Sequence, residues 1–221
     1  APYNAITFQY DGNGRLATIR DVALNRAITL EYNANGLLWQ VVQPDGGVTN
    51  YGYSSVVDGL GTRWFLTSVS DPMNRVTSLT YNSSANYLLN SVSYPANGKV
   101  SWSYAQDSTP STEVRTWLVT SEVVTNATSG ALIRQASFSY TVINGKVFSS
   151  KVSNYEASGV LQGSNENIYQ SSLKYNMETV RNATGVQMKS TRTHYNAKGD
   201  PARVDTYLGT STIVNYTEYA A

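Results

Sequence analysis

Tyr10-Asp11-Gly12-Asn13-Gly14-Arg15-Leu16 decides the fold of this chain, because weakened copies of it return to the C-terminal end and most other residues lie between them. Just upstream, Ile6, Phe8 and Tyr10 alternate with Thr7 and Gln9, the period-2 pattern of a strand with one apolar face. Asp11 to Gly14 then supplies residues that tolerate positive φ, so a hairpin turn is expected. Leu16 and Ile19 open the return strand, and their spacing of three breaks strict alternation and predicts a bulge there. Asp21 to Asn25 turns the chain at the far end. Ile28, Leu30 and Tyr32 alternate again, Asn33-Ala34-Asn35-Gly36 turns, and Leu38 with Val41 repeats the spacing of Leu16 with Ile19. Tyr10 to Tyr32 is therefore one unit.

Internal repetition of this kind fixes architecture before any other feature is read. Pro44-Asp45-Gly46-Gly47 leading to Tyr51 and Tyr53 returns as Pro95-Ala96-Asn97-Gly98 leading to Trp102 and Tyr104, and Arg26 to Tyr32 returns as Arg75 to Tyr81. Two strand pairs thus form a longer period of roughly fifty residues. Ser54 to Arg63, containing Asp58-Gly59-Leu60-Gly61, interrupts it and is expected to be a longer loop, as is Gln106 to Ser111 with Pro110. Beyond, Trp117, Val119 and Val123 are expected on one face, and Ala136, Phe138, Tyr140 and Val142 alternate with Ser137, Ser139 and Thr141. Asn144-Gly145 is a strong two-residue hairpin signal. Tyr155 to Gly159 and Tyr195-Asn196-Ala197-Lys198-Gly199 copy Tyr32 to Gly36. No stretch has helical apolar spacing, so no substantial helix is expected.

Composition agrees and excludes several functions. Aromatic residues are 11%, dominated by 17 tyrosines, in a background of Ser, Thr, Asn and Gly that favours pleated strands and tight turns. Charged residues are only 14% with a net charge of +1 and no cluster, which leaves no electrostatic footprint for nucleic acid or an anionic membrane. The absence of cysteine removes disulfides, thiolate metal sites and cysteine nucleophiles. No apolar run approaches the roughly 18 residues that span a bilayer as a helix.

With these residues assembled, the chain resembles the YD-repeat, or RHS-repeat, family, whose repeats follow a pattern near Tyr-Asp-x-x-Gly-Arg-Leu. Tyr10 to Leu16 matches throughout; later copies keep Tyr and Gly but carry Asn33, Asn82 and Asn196 in place of Asp, and Asp200-Pro201 in place of Arg-Leu. The family includes insecticidal toxin-complex components, contact-dependent polymorphic toxins, bacterial wall-associated proteins and teneurins. The resemblance implies long strands in one curved, spiralling sheet that makes a hollow shell, in a protein that is extracellular or on the cell surface. Asp71-Pro72 alone does not amount to the family's Asp-rich self-cleavage segment, so neither protease nor toxin activity is carried over. On this reading residues 1-221 are a single all-β array of antiparallel hairpins cut from a larger secreted protein, with the best-preserved repeats in 3-104 and degenerate ones in 105-221. Tyr10, Asp11, Gly14, Leu16, Tyr32, Gly36, Tyr53, Tyr81, Tyr104, Tyr195 and Gly199 are its structural repeat residues, and neighbouring repeats of the parent protein are its expected partners.

Sites with chemistry are few. His194 is the sole histidine, which excludes a multi-histidine metal centre; beside the repeat residue Tyr195 it reads as a surface or strand-pair side chain. Asp11, Asp21, Asp45 and Asp71 sit where turns use Asp for local hydrogen bonds. Gly12-Asn13-Gly14 lacks the third glycine and the helix of a dinucleotide fingerprint. Asn82-Ser83-Ser84, Asn126-Ala127-Thr128, Asn182-Ala183-Thr184 and Asn215-Tyr216-Thr217 fit the glycosylation triplet, which also arises by chance in such a composition. The repeat tyrosines are expected to stack across strands and bury ring surface. Trp39, out of phase with Leu38 and Val41, Trp64, beside the interruption, and Trp117 are the candidate ligand contacts. The expectation is thus a non-catalytic structural module of a shell or fibre without cofactor or metal. The alternative is a carbohydrate-binding or adhesion module that meets a polysaccharide or cell-surface partner through exposed aromatics; an enzyme lacks both a nucleophile constellation and a metal set.

Overall fold

The computed structural model describes residues 5–106, 117–143, 146–170, 175–209 and 212–218, and the side chains of 142–148, 169–170 and 212–218 are not among those described. The chain divides into two compact units, Ala1–Thr80 with Val92–Asn97, and Tyr81–Ser91 with Gly98–Ala221. All the described strands belong to one antiparallel sheet, and the single 3-10 turn at Ser83–Ala85 is the one helical element among the described residues. The expected class, all-β with consecutive hairpins in one sheet, is the class observed.

In the first unit β1 (Ile6–Tyr10), β2 (Leu16–Asp21), β3 (Arg26–Tyr32), β4 (Leu38–Val42), β5 (Val48–Asp58), β6 (Gly61–Ser70) and β7 (Val76–Asn82) pair in chain order. Register carries Phe8 onto Ile19 and Ile19 onto Ile28, Leu30 onto Val41, and Tyr51 onto Val69, so one face is apolar and aromatic. Thr18, Thr29, Gln40, Asn50, Ser68, Ser70 and Ser78 occupy the other face. The bulge predicted from Leu16 and Ile19 is present: Tyr10 pairs with Leu16 and Gln9 with Thr18, leaving Ala17 extra. Trp39 and Thr67 are the extra residues of the next two bulged hairpins, each placed just after the repeat leucine. The turns before the first two bulges need a left-handed residue, supplied by Gly14 and Gly36, both at φ 77°.

One expectation is overturned. Ser54 to Arg63 is not a long loop, because β5 and β6 continue through it, pairing Ser54 with Phe65, Val56 with Arg63 and Asp58 with Gly61 around Gly59-Leu60. Asp58 fixes this tight turn by accepting the Leu60 N–H and pairing with Arg63, and Gly61 takes φ 106°. The extra residues therefore lengthen a hairpin.

After β8 (Leu88–Ser93), the second unit contains β9 (Gly98–Gln106), β10 (Trp117–Asn126), β11 (Leu132–Ile143), β12 (Lys146–Glu156), β13 (Leu161–Gln170), β14 (Tyr175–Asn182), β15 (Gln187–Tyr195), β16 (Pro201–Leu208) and β17 (Thr212–Glu218), and from β9 onward each pairs with the next. A bulge at Thr120 sets Val119 opposite Tyr104 but Ser121 opposite Ser103. Trp117 and Val119 therefore share the Tyr104 face, whereas Val123 falls on the other, contrary to the common face read from spacing. Ala136, Phe138 and Tyr140 alternate as expected, against Asn154, Val152 and Ser150. The loop after Gln106 and the turn at Asn144-Gly145 lie outside the described residues.

A lone sheet buries little. No large side chain is fully buried among the described residues, the buried hydrophobics are Ala85, Val92 and Ala136, and Phe8 on the apolar face is 56% exposed. In β13 to β16 the buried residues are polar: Ser164, Thr179, Ser190 and Asp205.

Candidate functional site

The best-preserved repeat builds a lock from the residues that recur. Asp11 Oδ1 accepts the N–H groups of Asn13 and Arg15 at 2.9 Å each, closing the turn. Arg15 Nε and Nη2 reach Asp11 Oδ2 at 2.8 and 2.7 Å. The backbone N–H of Arg15, then its guanidinium, hold the Asp11 carboxyl below its usual range. The same guanidinium lies 4.4 Å from the centre of the Tyr32 ring, one unit downstream, and the Tyr32 hydroxyl donates to the Leu16 carbonyl at 2.9 Å, beside the extra residue Ala17. Tyr, Asp, Arg and Leu of the repeat are thereby joined between consecutive units.

Parts of the lock recur. Tyr53 donates to Leu38 and Tyr104 to Leu89, at 2.7 Å each. Asp71 and Arg75 repeat the Asp11–Arg15 pairing, with both nitrogens 2.6 Å from Asp71 Oδ2. Asn33, Asn182 and Asn196 keep the turn-closing carbonyl without the ion pair. Asn82, Asn126 and Asn182 of the glycosylation triplets are turn residues of this sort. Tyr10 departs from the expected burial: it is 65% exposed, with its strand paired to β2.

Each candidate tryptophan has its own setting. Trp39 is the extra residue of a bulge and 40% exposed; its phase anomaly in the sequence is the bulge itself. Trp64 lies opposite Ser55 in the lengthened hairpin and is 38% exposed, and Trp117 is half-buried at the start of β10 opposite Gln106.

A denser polar constellation lies on one face of β14, β15 and β16; of its members the sequence reading marked only His194, as a surface or strand-pair side chain. Register sets Tyr175 across from His194 and His194 across from Arg203, Arg192 across from Asp205, and Ser190 across from Tyr207. Asp205 is 3% exposed; Arg203 Nε donates to its Oδ1 at 2.6 Å, and His194 Nε2 is 3.2 Å from its Oδ2. Burial pushes this carboxyl up, but the Arg203 and His194 contacts together outweigh it and the net direction is down. The His194 ring also meets Tyr175, with centroids 5.7 Å apart. Arg192 lies 4.9 Å from the centre of the Tyr175 ring and 5.8 Å from that of Tyr207. The turn Asn196 to Gly199 is recognisable in the sequence, and extending its hairpin register outward sets Arg203 opposite His194 and Asp205 opposite Arg192, on one face. No group of three or more metal-ligating side chains occurs among the described residues.

Comparison with protein-family models and with curated proteins gives no match. Among solved structures, the chain is similar to a Photorhabdus luminescens Tc holotoxin pore, at 12% identity and TM-score 0.47 over 83% of this chain and 9% of that one. It is also similar to TcdB2-TccC3 without its hypervariable C-terminal region, at 16% identity and TM-score 0.46 over 91% and 11%. A porin-like protein from Bacteroides vulgatus matches at 8% identity and TM-score 0.34 over 96% and 90%. The chain spans about a tenth of the length of the two toxin chains.

Proposed function

We propose that this chain is a non-catalytic structural repeat module, a stretch of wall in a secreted or surface-exposed shell or fibre of the YD-repeat kind. The observation that carries the reading is the tyrosine hydroxyl to leucine carbonyl bond, made at equivalent positions by Tyr32, Tyr53 and Tyr104. Residues that a sequence motif presents as chemistry are here spent on joining one hairpin to the next. An apolar face on a single sheet supports the same reading, since a layer of this kind is stable when that face is covered by more of the same protein.

Thiol labelling tests it, because the chain has no cysteine. Phe8→Cys places a thiol on the apolar face and Ser78→Cys places one on the polar face. In the isolated chain both should react with a maleimide; in the full-length parent Ser78→Cys should react and Phe8→Cys should be protected. Equal reaction of both in the parent overturns the wall reading. The exposure of Trp39 at a bulge supports a second reading, contact with a polysaccharide or cell-surface partner, and bulges do re-aim side chains at such places. Saturable glycan binding lost in Trp39→Ala would establish it.

A further inference from the structure

The lengthened β5–β6 hairpin runs on past its neighbour on one side. β4 pairs with β5 only from Val48 to Asn50, so the outer edge of Ser54 to Val57 has no strand beside it among the described residues. A two-stranded ribbon is marginal in water by itself, and a third or fourth strand is what makes such a sheet stable. Proteins blunt an open edge with a charge, a proline or a bulge, and Ser54-Ser55-Val56-Val57 carries none of them. The charges of this arm, Asp58 and Arg63, are paired with each other, so the arm has no net charge. Its apolar residues face water: Val57 is 77% exposed and Leu60, in the turn, 88%. Trp64 shares the Val57 face, because Ser55 lies opposite it and Thr62 lies opposite Val57.

We propose that this edge pairs with the same edge of a second copy of the chain, antiparallel about a two-fold axis, so that two hairpins join into one four-stranded sheet. A two-fold axis makes one patch its own complement, and an arm without net charge meets itself without like-charge repulsion. The pairing satisfies the outward N–H and C=O groups of Ser54 to Val57. It also brings Val57 and Trp64 of both copies into one apolar stripe, the use to which exposed apolar surface on a protruding element points. Three apolar side chains per copy fall far short of the roughly 1,200 Å² of a standard interface. The backbone ladder therefore holds the contact, and the dimer is reversible. The contact rests on this hairpin and not on the wall role, so either can fail while the other stands.

Sedimentation equilibrium on the whole chain tests this. A dimer should form as concentration rises toward about 100 µM, the range of a weak, reversible contact. Val57→Lys and Val57→Glu each set like charges beside one another across the axis and should weaken the dimer about tenfold or more. Val57 is exposed, so the melting temperature of the dilute chain should stay within about 2 °C in both. An equimolar mixture of the two variants should restore the dimer, because opposite charges then meet, and damage to the fold cannot give that result. Ser55→Lys, also at an exposed position, serves if a Val57 variant does not fold. The wild type should not sediment with phosphatidylcholine vesicles. A chain that stays monomeric to about 100 µM, a dimer that the lysine and glutamate variants leave intact, or a mixture no tighter than either variant alone would each overturn the proposal. So would a monomer that sediments with the vesicles and loses this in Leu60→Ser, since the occupant would then be a lipid surface.

Discussion

Replacing Tyr32 by Phe removes one oxygen and leaves the ring under Arg15, so it isolates the bond to the Leu16 carbonyl. A neutral hydrogen bond of this kind is worth about 1 kcal/mol net. Tyr32 and Leu16 are both half-buried, so water can partly replace the lost donor and the cost should stay near that figure. For a chain of this length about 1 kcal/mol corresponds to a fall of about 2–4 °C in melting temperature. Tyr53→Phe should behave alike, because its hydroxyl reaches Leu38 in the same way. Tyr10→Phe is the control: its ring is largely in water, and its hydroxyl makes no hydrogen bond to another described residue. Thermal unfolding followed by circular dichroism, with urea titration as a cross-check, reads all three. If Tyr10→Phe costs as much as Tyr32→Phe, or if Tyr32→Phe and Tyr53→Phe are both silent, the lock is not what joins the units and the reasoning fails.

Three other outcomes are expected. Asp11→Asn keeps the turn-closing carbonyl, as Asn33 does, and loses the Arg15 pairing. The Asp11 carboxyl is lowered from its usual value near 3.8 in the folded chain, so its stabilisation is present above that value and lost as pH falls through the lowered one. The wild type should therefore exceed Asp11→Asn in urea midpoint near neutral pH, with the gap closing in acid; a gap that does not change with pH refutes the ion pair. Gly163→Ala should lower stability by about 2 kcal/mol or more in urea titration, since a Cβ at φ 158° would lie 2.5 Å from the Arg181 carbonyl oxygen on the neighbouring strand; a neutral variant contradicts that packing. Hydrogen exchange should find protected amides in Ser54 to Asp58 and Thr62 to Phe65, and free exchange throughout would restore the loop that the sequence suggested.

What the sequence made legible was local chemistry. The Asp and Gly turns, the strand alternation and the bulge after Leu16 each follow from residues within one hairpin, where spacing and φ preference act directly. The lengthened β5–β6 hairpin was misread because its strands interrupt the repeat, although Asp58-Gly59 between two β-prone runs is itself a tight-turn signal. Val123 changed face because the bulge at Thr120 sits among threonines and valines that fit either face, so no apolar spacing marks it. The Arg15 to Tyr32 contact and the Tyr32 to Leu16 bond lie between units, and repetition shows that these residues matter without showing what they touch.

His194 and Asp205 carry this distinction furthest. The hairpin they belong to begins with Tyr195 and Asn196, which keep the repeat tyrosine and the turn-closing side chain, but Asp200-Pro201 stands where the arginine and leucine of the lock would be. Without that arginine there is no guanidinium to clamp the turn and stack on the next tyrosine. Stabilisation on this hairpin comes instead from the buried carboxylate of Asp205, held by Arg203 on its own strand and by His194 on the facing strand. A carboxylate buried in a thin sheet is tolerated only while its partners remain, because desolvation opposes its charge. The neighbouring arginine, Arg192, contributes nothing to that balance through hydrogen bonds to described residues. Residues kept by the repeat are explained by holding one hairpin to the next, whereas His194, Arg203 and Asp205, which the repeat does not keep, are explained by holding one buried carboxylate within its own hairpin.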